Sequence, residues 1–144
     1  MEKRYWFRSD KFSIEKGEDE ETNRLCFGKA LANWLAHKMS EYGYQSEVIP
    51  EDWGWCVMCE SNGYLLWLGC GCIVSEENNE DHTPQGSEVV WHVFSHIEIP
   101  FYNFKTLLKK LSGKLVLARP LDKLNQQLDA VLKSEPAIIF CEEP

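Results

Sequence analysis

Pro50-Glu51-Asp52-Trp53-Gly54-Trp55 runs into Cys56-Val57-Met58 and, past Ser61-Asn62-Gly63, into Leu65-Leu66-Trp67-Leu68-Gly69-Cys70-Gly71-Cys72. An Asn-Gly pair between two apolar runs is a strong hairpin signal. Trp55 to Glu60 and Tyr64 to Val74 are therefore predicted as paired strands. Two acids, two indoles and a glycine stand where the first of these strands begins. A strand end of this kind exposes its loop, and loops carry recognition. Glycine there permits close backbone approach.

Toward the N-terminus, Gln45 to Ile49 reads as a short strand closed by Pro50. Before it, Leu25, Gly28, Leu31, Ala32, Leu35 and Met39 recur at helical spacing. They predict a helix from about Arg24 to Tyr42, with Thr22 or Asn23 as its N-cap and Gly43 just past its end. Tyr5 to Ile14 is predicted as a first strand, and the acidic stretch Glu18-Asp19-Glu20-Glu21 as a loop.

Toward the C-terminus, Ser75 to Gly86 is polar and reads as a loop that carries a second acidic run, Glu76-Glu77 with Glu80-Asp81. Glu88 to Ile99 alternates as a strand does. Val89, Trp91, Val93, Ile97 and Ile99 fall on one face, and Val90, His92, Phe94, His96 and Glu98 on the other. Phe101, Phe104, Leu107, Leu108 and Leu111 give a helical stripe ending near Gly113. Pro120 suits the first turn of a further helix that continues to Pro136. Ala137 to Cys141 is predicted as an edge strand. The order predicts one α+β domain over residues 1–144, a two-layer sandwich of a mainly antiparallel sheet with helices on one face.

At 44% hydrophobic residues the chain can build a core. No apolar run reaches the roughly 18 residues of a membrane span, and Met1 to Trp6 lacks the apolar stretch of a secretory signal. A cytoplasmic protein with no membrane partner is expected. The net charge of −8 argues against binding nucleic acid through phosphates. That charge is uneven. Phe101 to Ser134 holds seven basic residues against Asp122 and Asp129, so the rest of the chain is strongly acidic.

Cys56-x-x-Cys59 and Cys70-x-Cys72 have the outline of a zinc ribbon. Strand residues three apart point to opposite faces, which separates Cys56 from Cys59 and leaves buried free thiols as the expectation. No metal and no cofactor are expected. His92 and His96 share a face but stand about 13 Å apart, too far for one metal. Neither a Cys–His nucleophile nor a phosphate loop has a local signature, and no catalytic residues are assigned.

The segments Gly17 to Asn23, Gly28 to Leu35, Pro50 to Trp55 and Leu66 to Gly71 resemble a family of small, uncharacterised bacterial cytosolic proteins. The string Pro50-Glu51-Asp52-Trp53-Gly54-Trp55 is the most specific part of that resemblance. It implies a bacterial source and an α+β fold, with no activity and no catalytic residues to carry over.

The expected function is a noncatalytic, acidic protein-binding module of the immunity or antitoxin kind, meeting a basic protein partner. Its expected binding residues are Glu51, Asp52, Trp53 and Trp55, with Glu18, Asp19, Glu20 and Glu21. Two alternatives come from other classes. One is a small hydrolase using Glu51, Asp52 or His92 beside Trp53; the other is a zinc-stabilised structural domain.

Overall fold

The computed structural model describes residues 1–75, 82–100, 104–111 and 116–144. The predicted acidic run Glu76-Glu77 with Glu80-Asp81 lies outside them, as do Phe101 and Gly113 at the ends of the second predicted helix. The strands are β1 (Arg4–Arg8), β2 (Glu47–Glu51), β3 (Gly54–Glu60), β4 (Leu65–Ile73), β5 (Val90–Glu98) and β6 (Ile139–Cys141). The helices are α1 (Lys29–Ser40), α2 (Phe104–Leu111) and α3 (Ala118–Ser134). All paired strands are antiparallel, in the order β2-β3-β4-β5-β1-β6. The fold is the expected α+β arrangement.

One sheet face, the inner face, is covered. α1 packs on β2, β3 and β4, and α3 packs on β5. Period-two alternation sends Phe7, Trp55, Val57, Leu66, Leu68, Trp91 and Val93 inward, where they meet Leu31, Leu35, Met39, Leu124, Leu128 and Leu132. The predicted face assignment of β5 holds. On α2 the described leucines do not bury: Leu108 and Leu111 are 64% and 76% exposed.

Three local predictions are corrected. Pro50 does not close β2 but lies inside it, opposite Trp55. An edge strand tolerates proline because one row of its backbone groups has no ladder partner. β1 ends at Arg8, well before Ile14. α1 starts at Lys29 rather than near Arg24. Thr22 does not cap it: its hydroxyl donates to the Cys26 carbonyl at 2.8 Å, and Leu25 takes a left-handed φ of 64°. The helix start is instead held by Glu18, ten residues upstream. That carboxylate accepts from the Gly28 and Lys29 amides, each at 3.1 Å, and from the Glu15 amide at 2.9 Å. Orphan amides at a helix N-terminus need such an acceptor, and a carboxylate also suits the positive end of the dipole.

A buried polar node ties the N-terminus to the sheet. Ser95 donates to Asn125 on α3, the Asn125 amide donates to the Met1 carbonyl at 2.8 Å, and the Lys3 amide donates to Ser95 Oγ at 3.0 Å. The node fixes where Arg4 and Trp6 stand on β1.

Leu35 is fully buried beneath the sheet. Leu35→Ala is expected to lower unfolding stability by about 2–5 kcal/mol in a urea titration. An unchanged midpoint would contradict this packing.

Candidate functional site

The face opposite the helices, here the outer face, is built from alternate residues of the same strands. Register aligns Trp67 with His96, Gly69 with Phe94, and Gly71 with His92. It also aligns Arg4 with Phe94 and Trp6 with His92. Five aromatic or imidazole rings from three strands therefore share one surface, and no described helix packs against it.

A sixth ring comes from the β2–β3 turn. Glu51 pairs with Gly54, so Asp52 and Trp53 form a two-residue hairpin loop. Gly54 has φ 151°, and a Cβ there would stand 2.5 Å from the Cys70 carbonyl oxygen. Only glycine fits that combination of angle and approach. The turn lays Trp53 across the sheet, where its ring stacks on Trp67 at 5.6 Å and 22° and lies 5.4 Å from Phe94.

Phe94 is the hub. Its ring is 5.6 Å from Trp67 and 5.2 Å from His92, and Trp6 stacks flat on His92 at 3.7 Å. The Arg4 guanidinium lies 5.2 Å above the Phe94 ring, within cation–π range. Carboxylates border the platform. Glu98 accepts from Trp67 Nε1 at 3.3 Å, and Glu2 contacts both His96 and Arg4. Glu47 and Glu51 lie along β2 beside Met58 and Gly54. Trp53 is 40% exposed, and Trp6, Trp67 and Phe94 are half-buried against one another.

The sequence-predicted residues divide. Glu51, Asp52 and Trp53 are exposed at the platform edge. Trp55 points the other way and is 2% exposed in the core, with the Lys29 ammonium 5.3 Å from its ring. The two indoles serve opposite faces because Trp53 belongs to the turn and only Trp55 to the strand. Glu18 is 5% exposed and holds the α1 start, so it lies off the accessible surface. Asp19 accepts from the Leu25 amide at 3.0 Å, and Glu21 pairs with Lys29 at 3.0 Å. Glu20 is exposed. The Cys26 thiol pKa is raised chiefly by burial, with smaller contributions from Asp19 and Asp52.

Sequence reasoning missed Trp6, Trp67, Phe94 and Arg4. The alternation of β5 put Phe94 and both histidines on one face; what joins β1, β4 and the turn to them is long-range register.

The buried thiols of β3 and β4 are poorly activated. Burial pushes the Cys56 thiol up to about 12, helped by Glu51, Cys59 and Glu98. Cys59 and Cys72 rise to about 11 and about 12, again chiefly by burial. Such thiols stay protonated at neutral pH and are poor nucleophiles. Among the described residues, no three His, Cys, Asp or Glu side chains converge as metal ligands. No helix there is long and apolar enough to cross a membrane. His92 and Glu51 lie three strands apart, roughly 14 Å, beyond hydrogen-bond reach of each other.

His92 Nε2 is buried without a hydrogen-bond partner among the described residues. Burial first, and the Arg4 charge second, lower its pKa to about 4. The unfolded chain then holds an extra proton between about pH 4 and 6.5, so this group withdraws stability as pH falls through that window. The full loss is about 3 kcal/mol. His92→Gln is expected to lose less stability than the wild type between pH 7 and pH 4.5 in paired urea titrations. Parallel pH profiles would contradict it.

No protein-family model matches the sequence, and no curated protein or solved structure matches the chain.

Proposed function

We propose that this chain is a noncatalytic, acidic protein-binding module of the immunity or antitoxin kind, and that it engages a basic protein partner through the outer sheet face. One observation carries the reading: six rings form a continuous platform on the face that no described helix packs against. Aromatic side chains give large contact area at low entropic cost and are the commonest interface anchors. The carboxylates along its border and the net charge of −8 favour a cationic partner and speed its encounter. The raised thiol pKa values weigh against a cysteine nucleophile. A bacterial cytoplasmic setting for the encounter belongs to the same proposal.

The test recovers partners from the native host with immobilised wild-type protein and two variants, Trp53→Ala/Trp67→Ala and Glu51→Lys/Asp52→Lys. Equal folding is first established by circular dichroism. The aromatic variant is expected to weaken the recovered complex at least tenfold, as loss of a roughly 2 kcal/mol hot spot does. Charge reversal is expected to slow association, with a smaller effect on dissociation. A specific partner held by both variants at wild-type affinity and on-rate would remove this face from the binding surface.

A further inference from the structure

We propose that Phe94 and Glu2 form a subsite for an arginine side chain of the partner, and that Arg4 is its intramolecular occupant, displaced when the partner binds. This rests on the protein-binding reading above and names the chemistry at its centre. The Arg4 guanidinium lies 5.2 Å from the centroid of Phe94, with Glu2 at 3.8 Å. An aromatic floor with a carboxylate beside it is a complete guanidinium-binding arrangement: the ring quadrupole attracts the cation and the carboxylate accepts its N–H groups. Trp53 and Trp67 flank the same ring at 5.4 and 5.6 Å and extend the floor beyond Arg4.

The occupant is held loosely. Its side chain is 55% exposed, and its ion pair with Glu2 is long. An exposed pair of this kind contributes little to stability, so Arg4 can swing into solvent at small cost. An incoming guanidinium would take over the ring and the Glu2 oxygen that faces Arg4, the other oxygen staying with His96, and the released Arg4 regains its hydration. Lysine is the poorer ligand here. A guanidinium is planar, weakly hydrated and able to stack, whereas an ammonium is a strongly hydrated point charge. Arg8 follows on the same face of β1, opposite Ile139. It carries the same charge but stands four residues along the strand from Arg4, about 13 Å away, which makes it the matched control.

The experiment titrates the full chain with an oligoarginine and an oligolysine peptide of equal length, at fixed ionic strength, by calorimetry. Wild type, Arg4→Gln, Arg8→Gln and Phe94→Leu are compared. Arg4→Gln is expected to tighten oligoarginine about fivefold while changing oligolysine by no more than about twofold, the share owed to net charge alone. Arg8→Gln is expected to give only that charge effect, equal for both peptides. Phe94→Leu is expected to abolish the preference for arginine. Equal tightening of both peptides by Arg4→Gln, or weaker oligoarginine binding by that variant, would overturn the subsite. If both peptides bind equally well and both are lost with Trp53→Ala/Trp67→Ala, the subsite fails while the protein-binding face stands. If neither peptide binds and host partners ignore the Trp53→Ala/Trp67→Ala change, both fail together.

Discussion

The Phe94 ring fills the space that a side chain at Gly69 would take. A Cβ on Gly69 would stand 2.3 Å from the ring's Cζ atom. This contact organises the outer face. A ring whose far end lies over a glycine on the next strand is held close to the sheet, and four further groups then close around it: Trp53, Trp67, His92 and Arg4. α1 and α3 cover the inner face, so the outer face must shield its own backbone. It does so with aromatic rings that pack on one another. The same solution leaves a flat, partly exposed apolar surface, and surfaces of that kind are where proteins meet partners.

Charge has two separate roles in this molecule. Some carboxylates serve the fold: Glu18 holds the start of α1, and Asp19 ties down the left-handed turn at Leu25. Others border the platform and stay at least partly exposed, among them Glu2, Glu47, Glu51 and Glu98. An acidic run in a sequence is thus not one functional unit. Neighbours such as Glu18 and Glu20 differ because one side chain reaches a helix end and the other reaches water.

Legibility followed the range of the interactions. The Asn62-Gly63 hairpin and the alternation of β5 are short-range signals; both gave correct elements, and the second also gave correct faces. The start of α1 was misplaced because its cap is not local: Thr22 and Asn23 carry the usual signature, yet the carboxylate that does the capping comes from Glu18. Pro50 looked like a terminator because the position of β2 at the sheet edge is a property of the whole sheet. Trp53 and Trp55 looked like one indole pair. The tight turn at Gly54 returns Trp53 to the outer face while Trp55 enters the core. Half of the site was therefore readable at Glu51, Asp52 and Trp53. The other half, contributed by Trp6, Trp67 and Phe94, becomes adjacent only when β1, β4 and β5 pair.

The tryptophans report directly on whether the outer face is the binding surface. The chain has six. Trp6, Trp53 and Trp67 belong to the outer platform, while Trp34, Trp55 and Trp91 pack with the core. Each indole N–H gives its own signal in a nitrogen–proton correlation spectrum. The most direct measurement follows those six signals as a cationic peptide or the isolated partner is added. The signals of Trp6, Trp53 and Trp67 are expected to move together with one binding curve while the other three stay in place. Movement confined to Trp34, Trp55 and Trp91 would place binding on the helical side and contradict it.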